Sequence, residues 1–441
     1  MTSGLKRQPV LLPRTVLVWC GAALVVLLAV MLWKHGATLP RASGPLSQQA
    51  YVWQRQWNDD VRQAITNAAG RFDEFAVLGA EVGWDSGRVR VVRIAVDDDF
   101  LQNSRLPIGL ALRIGPYAGP FAESGEPADT PAALAVELVR QAGTAGLTVK
   151  ELQLDFDCAE SKLDGYRHWV SAVRRRIAPV PLVITALPSW LNRSAFKPLA
   201  ASTDGFVLQV HSLEKPRGAD QPMTLCDPAA ARKAVEAAGR VGVPFRVALA
   251  TYGYFVGFGP QGQLVGLQAE GPSLAWPADT VVRVLRADPA ESADLVRGWT
   301  ADRPANLCGL IWYRLPTDTD TLNWRWPTLE AVMAGREPQG KLQAAVRRPE
   351  PALTELDLLN SGEADTPLPI AVAVTWRSGR LVAADALVGF ELEKNGPEEA
   401  VFRRMPDAVL QWLAVGQRRP LGWLRFDVDT EVEVHVMQAE P

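Results

Sequence analysis

At 441 residues the chain exceeds one typical domain, so at least two folded units are expected. Hydrophobic residues make up 48% and charged residues 22%, the ordinary balance of a globular protein. A net charge of −3 with no long basic run or stripe excludes a nucleic-acid footprint.

The first element in the chain is Thr15–Trp33 (TVLVWCGAALVVLLAVMLW), apolar for 19 residues and close to the roughly 20 needed to span a bilayer. Lys6, Arg7 and Arg14 precede it, so the positive-inside rule predicts a cytoplasmic tail over 1–14, an anchor over 15–33 and an exported body, although Lys34 and Arg41 soften the asymmetry. The rival is a cleaved signal peptide, whose apolar stretch is usually about 7–15 residues followed by a small-x-small site. Here the run ends in Met31-Leu-Trp-Lys34 with no clear site after it, which favours the anchor. Residues 34–49 are rich in small residues, Pro and Gly and form a linker from the membrane.

Over residues 50–335 strands and helices are expected to alternate. Strand character falls at Tyr51–Arg55, Phe75–Val82, Arg88–Val96, Ile108–Ile114, Leu152–Phe156, Leu182–Ala186, Phe206–Val210, Phe245–Thr251 and Leu310–Tyr313. Arg88–Val96 follows an Asp85-Ser-Gly turn signal and is expected as a hairpin partner. Helices are expected over Asp59–Ala69, Pro131–Ala142, Leu163–Ile177, from Asp227-Pro228 to Ala238, and over Thr328–Met333. Ser161-Lys-Leu-Asp164 has the form of a capping box. About eight βα units suit a (β/α)8 barrel, which needs roughly 250 residues; a large doubly wound sheet is the alternative. Polar or aromatic groups stand at nearly every strand tip, which favours a closed ring. Residues 336–352 are a polar link, and 353–441 show strands without convincing helices, the pattern of a small all-β sandwich.

The chemistry concentrates at strand ends. In Val149–Glu160 (VKELQLDFDCAE) the period of two puts Asp155 and Asp157 on one side, with Leu154 and Phe156 on the other. Like charges this close are costly unless something uses them, and glycosidases need two carboxyl groups at the scissile bond. Glu81 is a third strand-end acid, and Glu160 stands just past the pair. A lone strand-end Asp is often only a helix cap. Trp84, Trp190, Tyr252, Tyr254, Trp312 and Tyr313 fall at the same tips, where flat rings suit the apolar faces of sugars; any one of them is also an ordinary core residue. His211 is a proton shuttle or carboxylate partner, or a plain hydrogen-bonded barrel histidine. Gly257-Phe-Gly-Pro-Gln-Gly262 matches a dinucleotide string but opens no helix, so a hairpin turn is expected and no cofactor is implied. No CxxC pair and no zinc spacing exist, so no metal site is expected. Cys158 follows one strand tip and Cys226 lies in a later loop; a disulfide between them across the mouth is expected, with Cys308 a free core thiol.

LQLDFDCAE resembles the fourth strand of the chitinase-like glycosidase barrels, whose motif is D-x-x-D-x-D-x-E. Asp155 and Asp157 match its second and third acids, Leu152 stands at the first, and Ala159 stands where the family has its proton-donating Glu. The opening YVWQR and the strand-end aromatics resemble galactosaminidase-type barrels. Residues 50–335 look most like an uncharacterised bacterial family with a glycosidase-like barrel, in which LDFDC, ITALPSWL, QVHSL and TYGY recur. The resemblance implies a polysaccharide or oligosaccharide partner. The expectation is a protein of the bacterial inner membrane, single-pass through Thr15–Trp33, with its body in the periplasm or outside the cell. Asp155 and Asp157 would be the reaction-centre acids, with Glu81 or Glu160 as proton donor. The alternative is a non-catalytic saccharide-binding or envelope scaffold protein on the same barrel. A metal-dependent deacetylase using Asp155, Asp157 and His211 is a third reading.

Overall fold

The eight apolar runs at the heart of the sequence become eight parallel strands. The computed structural model describes residues 39–438 apart from 118, 122–124, 213–215, 217, 271–274, 388 and 406–411. The anchor expected over Thr15–Trp33 lies outside the described residues; among those described, no helix is long and apolar enough to cross a membrane. In chain order the strands of the first part are β1 (Ser47–Val52), β2 (Glu74–Asp85), β3 (Arg88–Arg93), β4 (Ile108–Ile114), β5 (Val149–Phe156), β6 (Leu182–Ala186), β7 (Gly205–Gln209), β8 (Phe245–Ala250), β9 (Gly253–Phe258), β10 (Leu264–Gln268), β11 (Val281–Arg286) and β12 (Leu307–Tyr313). The order β1-β12-β8-β7-β6-β5-β4-β2 closes on itself where β2 pairs back onto β1. That is a closed eight-stranded parallel barrel rather than an open sheet.

A helix follows each barrel strand: α1 (Asp59–Ala68), α2 (Asp98–Ser104), α3 (Glu126–Thr144), α4 (Leu163–Ile177), α5 (Phe196–Ala201), α6 (Pro228–Gly239), α7 (Pro289–Ala301) and α8 (Trp326–Met333). Local chemistry starts several of them. The Asp227 side chain accepts from the Ala230 amide at 2.9 Å, and Asp288 accepts from the amides of Ala290 and Glu291 at 2.8 and 3.0 Å. Each such cap contributes about 1 kcal/mol. Ser161 caps nothing: residues 160–162 form a 3-10 turn, and α4 begins at Leu163 without a side-chain cap. Two insertions stand at the carboxyl ends of strands. β3 folds back antiparallel on β2, and β10-β9-β11 form a small antiparallel sheet after β8. The string from Gly257 to Gly262 is indeed the turn between β9 and β10.

The period of two separates the barrel into an outer and an inner face. Phe75, Val77, Leu110, Leu112, Leu152, Leu154, Leu310 and Trp312 face the helices and are buried. Inward, Tyr51, Ala76, Val183, Val207, Ala248 and Ile311 fill the middle of the barrel. Below them, at the amino ends of the strands, lies a buried polar plug. Arg246 pairs with Glu151 at 2.6 Å and also donates to Gln49. Gln153 donates to Glu151 at 2.7 Å, and Tyr51 donates to Gln153 at 2.7 Å. This explains why β1 begins at Ser47, four residues before Tyr51. The inward Gln49 breaks the apolar pattern that marks a strand.

Glu74 belongs to the same plug, and its Oε1 is buried with no hydrogen-bond partner. Burial and the neighbouring Glu151 carboxylate push its pKa up to about 7, with Arg246 opposing. A carboxyl raised in the folded state stabilises the fold fully below the unfolded value, near 4.5, and that contribution is lost as pH rises through about 7. Glu74→Gln is therefore expected to leave melting near pH 5 almost unchanged. Near pH 8 it should melt a few degrees above the unsubstituted protein, as thermal unfolding against pH would read.

The C-terminal part is all β. Strands β13 (Leu342–Glu350), β14 (Leu353–Asn360), β15 (Ala371–Trp376), β16 (Leu381–Ala386), β17 (Phe390–Asn395), β18 (Glu399–Arg404), β19 (Arg418–Phe426) and β20 (Val432–Met437) form two antiparallel sheets, ordered β13-β14-β19-β16 and β17-β18-β15-β20. Leu356, Leu358, Leu424 and Phe426 from one sheet share a core with Val372, Val374, Trp376 and Phe402 from the other. Residues 342–350, expected within the polar link, are a full strand, because an edge strand with one wet face carries few apolar residues. Arg336 binds Glu363 at 2.7 Å, tying the end of the barrel chain to the loop after β14.

Candidate functional site

The carboxyl ends of the eight strands open onto one mouth, and the inward position at each tip decides what it holds. From β5 comes Asp155, with Asp157 just beyond the strand. From β4 comes Arg113, in register with Asp155, and from β2 comes Glu81, in register with Arg113. Arg113 lies between the two acids, at 3.8 Å from Glu81 and 4.0 Å from Asp155. Thr185 of β6 and Gln209 of β7 donate to Asp155 Oδ1 at 3.1 and 3.2 Å. Burial, then the nearby Asp157 charge, pushes the Asp155 pKa up to about 6 against the pull of Arg113 and the two hydrogen bonds. Asp157 stands exposed at the rim, and the shelter its carboxyl does have raises its pKa, with Arg113 opposing. The two acids thus lie side by side, one holding a proton to higher pH than a free carboxyl would.

Opposite them is a continuous aromatic wall. Trp53 stands edge-on to Tyr51 and to Tyr313, with ring centres 5.2 and 5.4 Å apart. His211 stacks on Tyr313 at 5.6 Å and 22°, and its Nδ1 is 3.3 Å from the Tyr252 hydroxyl. Tyr254 stands edge-on to Tyr252 at 5.3 Å. Burial holds the His211 pKa down to about 4, so near neutral pH it is an uncharged hydrogen-bonding ring. The structure brings together Asp155, Asp157, Glu81, His211, Tyr252, Tyr254 and Tyr313 as the sequence suggests. Arg113, Thr185, Gln209 and Trp53 are further members of the site. Their signal was available: each is a polar or aromatic tip residue on the inward parity of an otherwise apolar strand.

Four expected residues belong elsewhere. Trp312 has the outward parity of Leu310; it is fully buried and donates to Gln48 at 2.7 Å. Trp190 is fully buried under α4 and donates to the Cys158 carbonyl at 3.1 Å. Trp84 lies on the outer face of the β2–β3 hairpin against Tyr117 and Trp169, with ring centres at 4.5 and 5.7 Å. Trp190 and Trp312 are too buried to be sugar platforms, and Trp84 stands on the parity opposite to Glu81, away from the mouth. Glu160 sits on the exposed 3-10 turn and is ion-paired with Arg193, which holds its carboxyl below the usual range, unsuited to donating a proton. Glu81 is held by a two-pronged ion pair with Arg55, at 3.0 and 2.7 Å from Nη2.

The expected disulfide is not formed; Cys158 and Cys226 are free thiols. Parity supplies the reason, since Cys158 continues the outward series Leu154, Phe156 and packs between strands and helices rather than over the mouth. Burial pushes both thiols up to about 12. Cys308 is free but exposed at the start of β12, not in the core. Alkylation of the unfolded protein without reductant should label all three of these cysteines, with no 158–226 cross-linked peptide in the mass spectrum. Among the described residues no group of three or more His, Cys, Asp or Glu is placed to hold a metal ion.

Fold and site together define a (β/α)8-barrel protein with an acidic and aromatic mouth and a C-terminal β-sandwich. Residues 128–318 match the model of a domain of unknown function, DUF3142, and residues 343–427 match a second domain of unknown function, DUF8456. LDFDC, ITALPSWL, QVHSL and TYGY, which carry the resemblance to an uncharacterised family, all fall inside the first match. No curated protein matches the chain. Among solved structures, the spore cortex-lytic enzyme SleL of Bacillus megaterium QM B1551 is similar at 13% identity, covering 67% of this chain and 75% of that one, with a TM-score of 0.47. A chitinase from Chromobacterium violaceum ATCC 12472 is similar at 15% identity over 66% of this chain and 98% of that one, with a TM-score of 0.45. The GH18 chitinase ChiB of Flavobacterium johnsoniae is similar at 14% identity over 66% and 94%, with a TM-score of 0.42.

Proposed function

We propose that the barrel mouth binds a polysaccharide and hydrolyses it through Asp155 and Asp157. The body would sit in the periplasm or outside the cell, tethered to a bacterial inner membrane by Thr15–Trp33. The observation that carries the reading is the acid pair facing the aromatic wall, with the pKa of Asp155 lifted to about 6. Asp155 gives its proton to the departing glycosidic oxygen as the bond to the anomeric carbon breaks. Asp157 either takes a proton from the water that attacks that carbon or attacks it directly, forming a glycosyl ester that water then hydrolyses. Trp53, Tyr254 and Tyr313 offer ring faces and edges to the sugars. The test is release of reducing ends from bacterial exopolysaccharides by the full chain in detergent, measured against pH. Turnover that needs the Asp155 proton is held below about pH 6 and falls as pH rises through that value.

A second reading is a non-catalytic saccharide-binding or scaffold protein. Ala159 stands where the related barrels carry their proton donor, and both other acids are committed to arginines, Glu81 to Arg55 and Glu160 to Arg193. Binding of a polymer with no release of ends at any pH would establish it over hydrolysis.

A further inference from the structure

The hairpin β2–β3 continues the inner face of the barrel beyond its rim. Glu81 lies opposite Val92, Gly83 opposite Arg90, and Asp85 opposite Arg88. Directly opposed residues of an antiparallel pair share a face, so Arg88 and Arg90 stand on the side of Glu81, Arg113 and Asp155. The other parity agrees. Val89 and Val91 pack toward the helices, and Arg93 binds Glu137 of α3 at 2.7 Å.

Arg88 and Arg90 differ from most arginines of this protein. Both are exposed, and among the described residues neither makes a hydrogen bond or an ion pair. Arg90 lies opposite Gly83, and a Cβ built on that glycine would meet nothing within 4 Å, so no side chain covers the strand beside Arg90. This wall of the mouth therefore carries Arg55, Arg88, Arg90 and Arg113 against Glu81 and Asp85, with Glu81 already engaged by Arg55 and Arg113. A planar guanidinium with free donors matches a carboxylate in a two-pronged fashion.

We infer that Arg90, supported by Arg88, binds a carboxylate borne by the saccharide, so that the polymer taken by this mouth is an acidic one. The inference rests on the reading of the mouth as a saccharide site and adds the charge of the ligand. A uronic acid and the lactyl group of a muramic acid freed of its stem peptide both present that carboxylate.

Calorimetric titration of the full chain in detergent tests it. The probes are oligogalacturonate, oligomannuronate and peptide-free glycan fragments carrying muramic acid with its lactyl carboxyl free, each beside its methyl ester. The acid form of at least one is expected to bind about tenfold or more tightly than its ester, the size of one charge-assisted contact. That preference should shrink as salt shortens the screening length. In Arg90→Ala, and more so in Arg88→Ala/Arg90→Ala, it should disappear while the melting temperature holds. The sugar whose acid form wins distinguishes the two carboxylate sources. Equal binding of acid and ester, or a preference that survives the double substitution, overturns the inference and leaves the saccharide reading standing. No binding to any probe by the folded protein overturns the saccharide reading itself, and this inference with it.

Discussion

Asp157→Asn is expected to lower polysaccharide turnover by at least about a hundredfold, the usual contribution of a positioned acid or base. Folding and sugar binding should be nearly untouched. Asn is close to isosteric with Asp, and Asp157 is exposed at the rim with no ion pair among the described residues to lose. Asp155→Asn should impair both turnover and binding. An amide cannot hold the proton, and it replaces the oxygen that accepts from Thr185 and Gln209 with a mixed donor and acceptor. The pair of results matters more than either alone. A hydrolase predicts different signatures for the two acids in kcat and in polymer affinity, whereas a binding protein predicts no turnover to lose. Full activity in Asp157→Asn would remove that residue from the mechanism.

The largest stability effect is expected from Arg246→Met. Arg246 is the only cation among the buried plug residues named above, and it faces Glu151 and Glu74 inside the barrel. Breaking a buried pair by removing one partner typically costs about 3–5 kcal/mol, because the remaining charge is left without compensation. The loss should be greater at alkaline than at acidic pH, since protonation relieves a carboxylate whose cation is gone. In Arg246→Met/Glu151→Gln part of the loss should return. Chemical denaturation at two pH values would measure both. A single substitution costing no more than an ordinary surface change would show that the plug contributes nothing to the fold.

The two effects arise at opposite ends of one barrel, and the sequence disclosed those ends unequally. The upper end was legible because its acids, Asp155 and Asp157, sit beside a run of apolar strand residues in a motif with a known shape. The lower end was not, because Gln49, Glu74, Glu151 and Arg246 look like surface residues until the ring closes over them. Trp190 and Trp312 show the same difficulty from the other side. A Trp next to a strand tip reads as a platform, yet one residue of parity sends Trp312 outward while Tyr313 turns into the mouth.

By itself, then, the sequence determined the alternation of strands and helices, the all-β character of the C-terminal part, and the carboxyl end of the strands as the place where chemistry gathers. Those follow from periodicity and capping, which act over a few residues. Only the tertiary structure decided that the sheet closes, that Arg113 stands between Glu81 and Asp155, that Glu160 is occupied by Arg193, and that the cysteines stay apart. Each of these depends on groups 25 or more positions apart in the chain, as with the Arg55–Glu81 pair, whose separation is 26. Their distance is fixed by the curvature of the barrel and the register between neighbouring strands, neither of which any local pattern encodes.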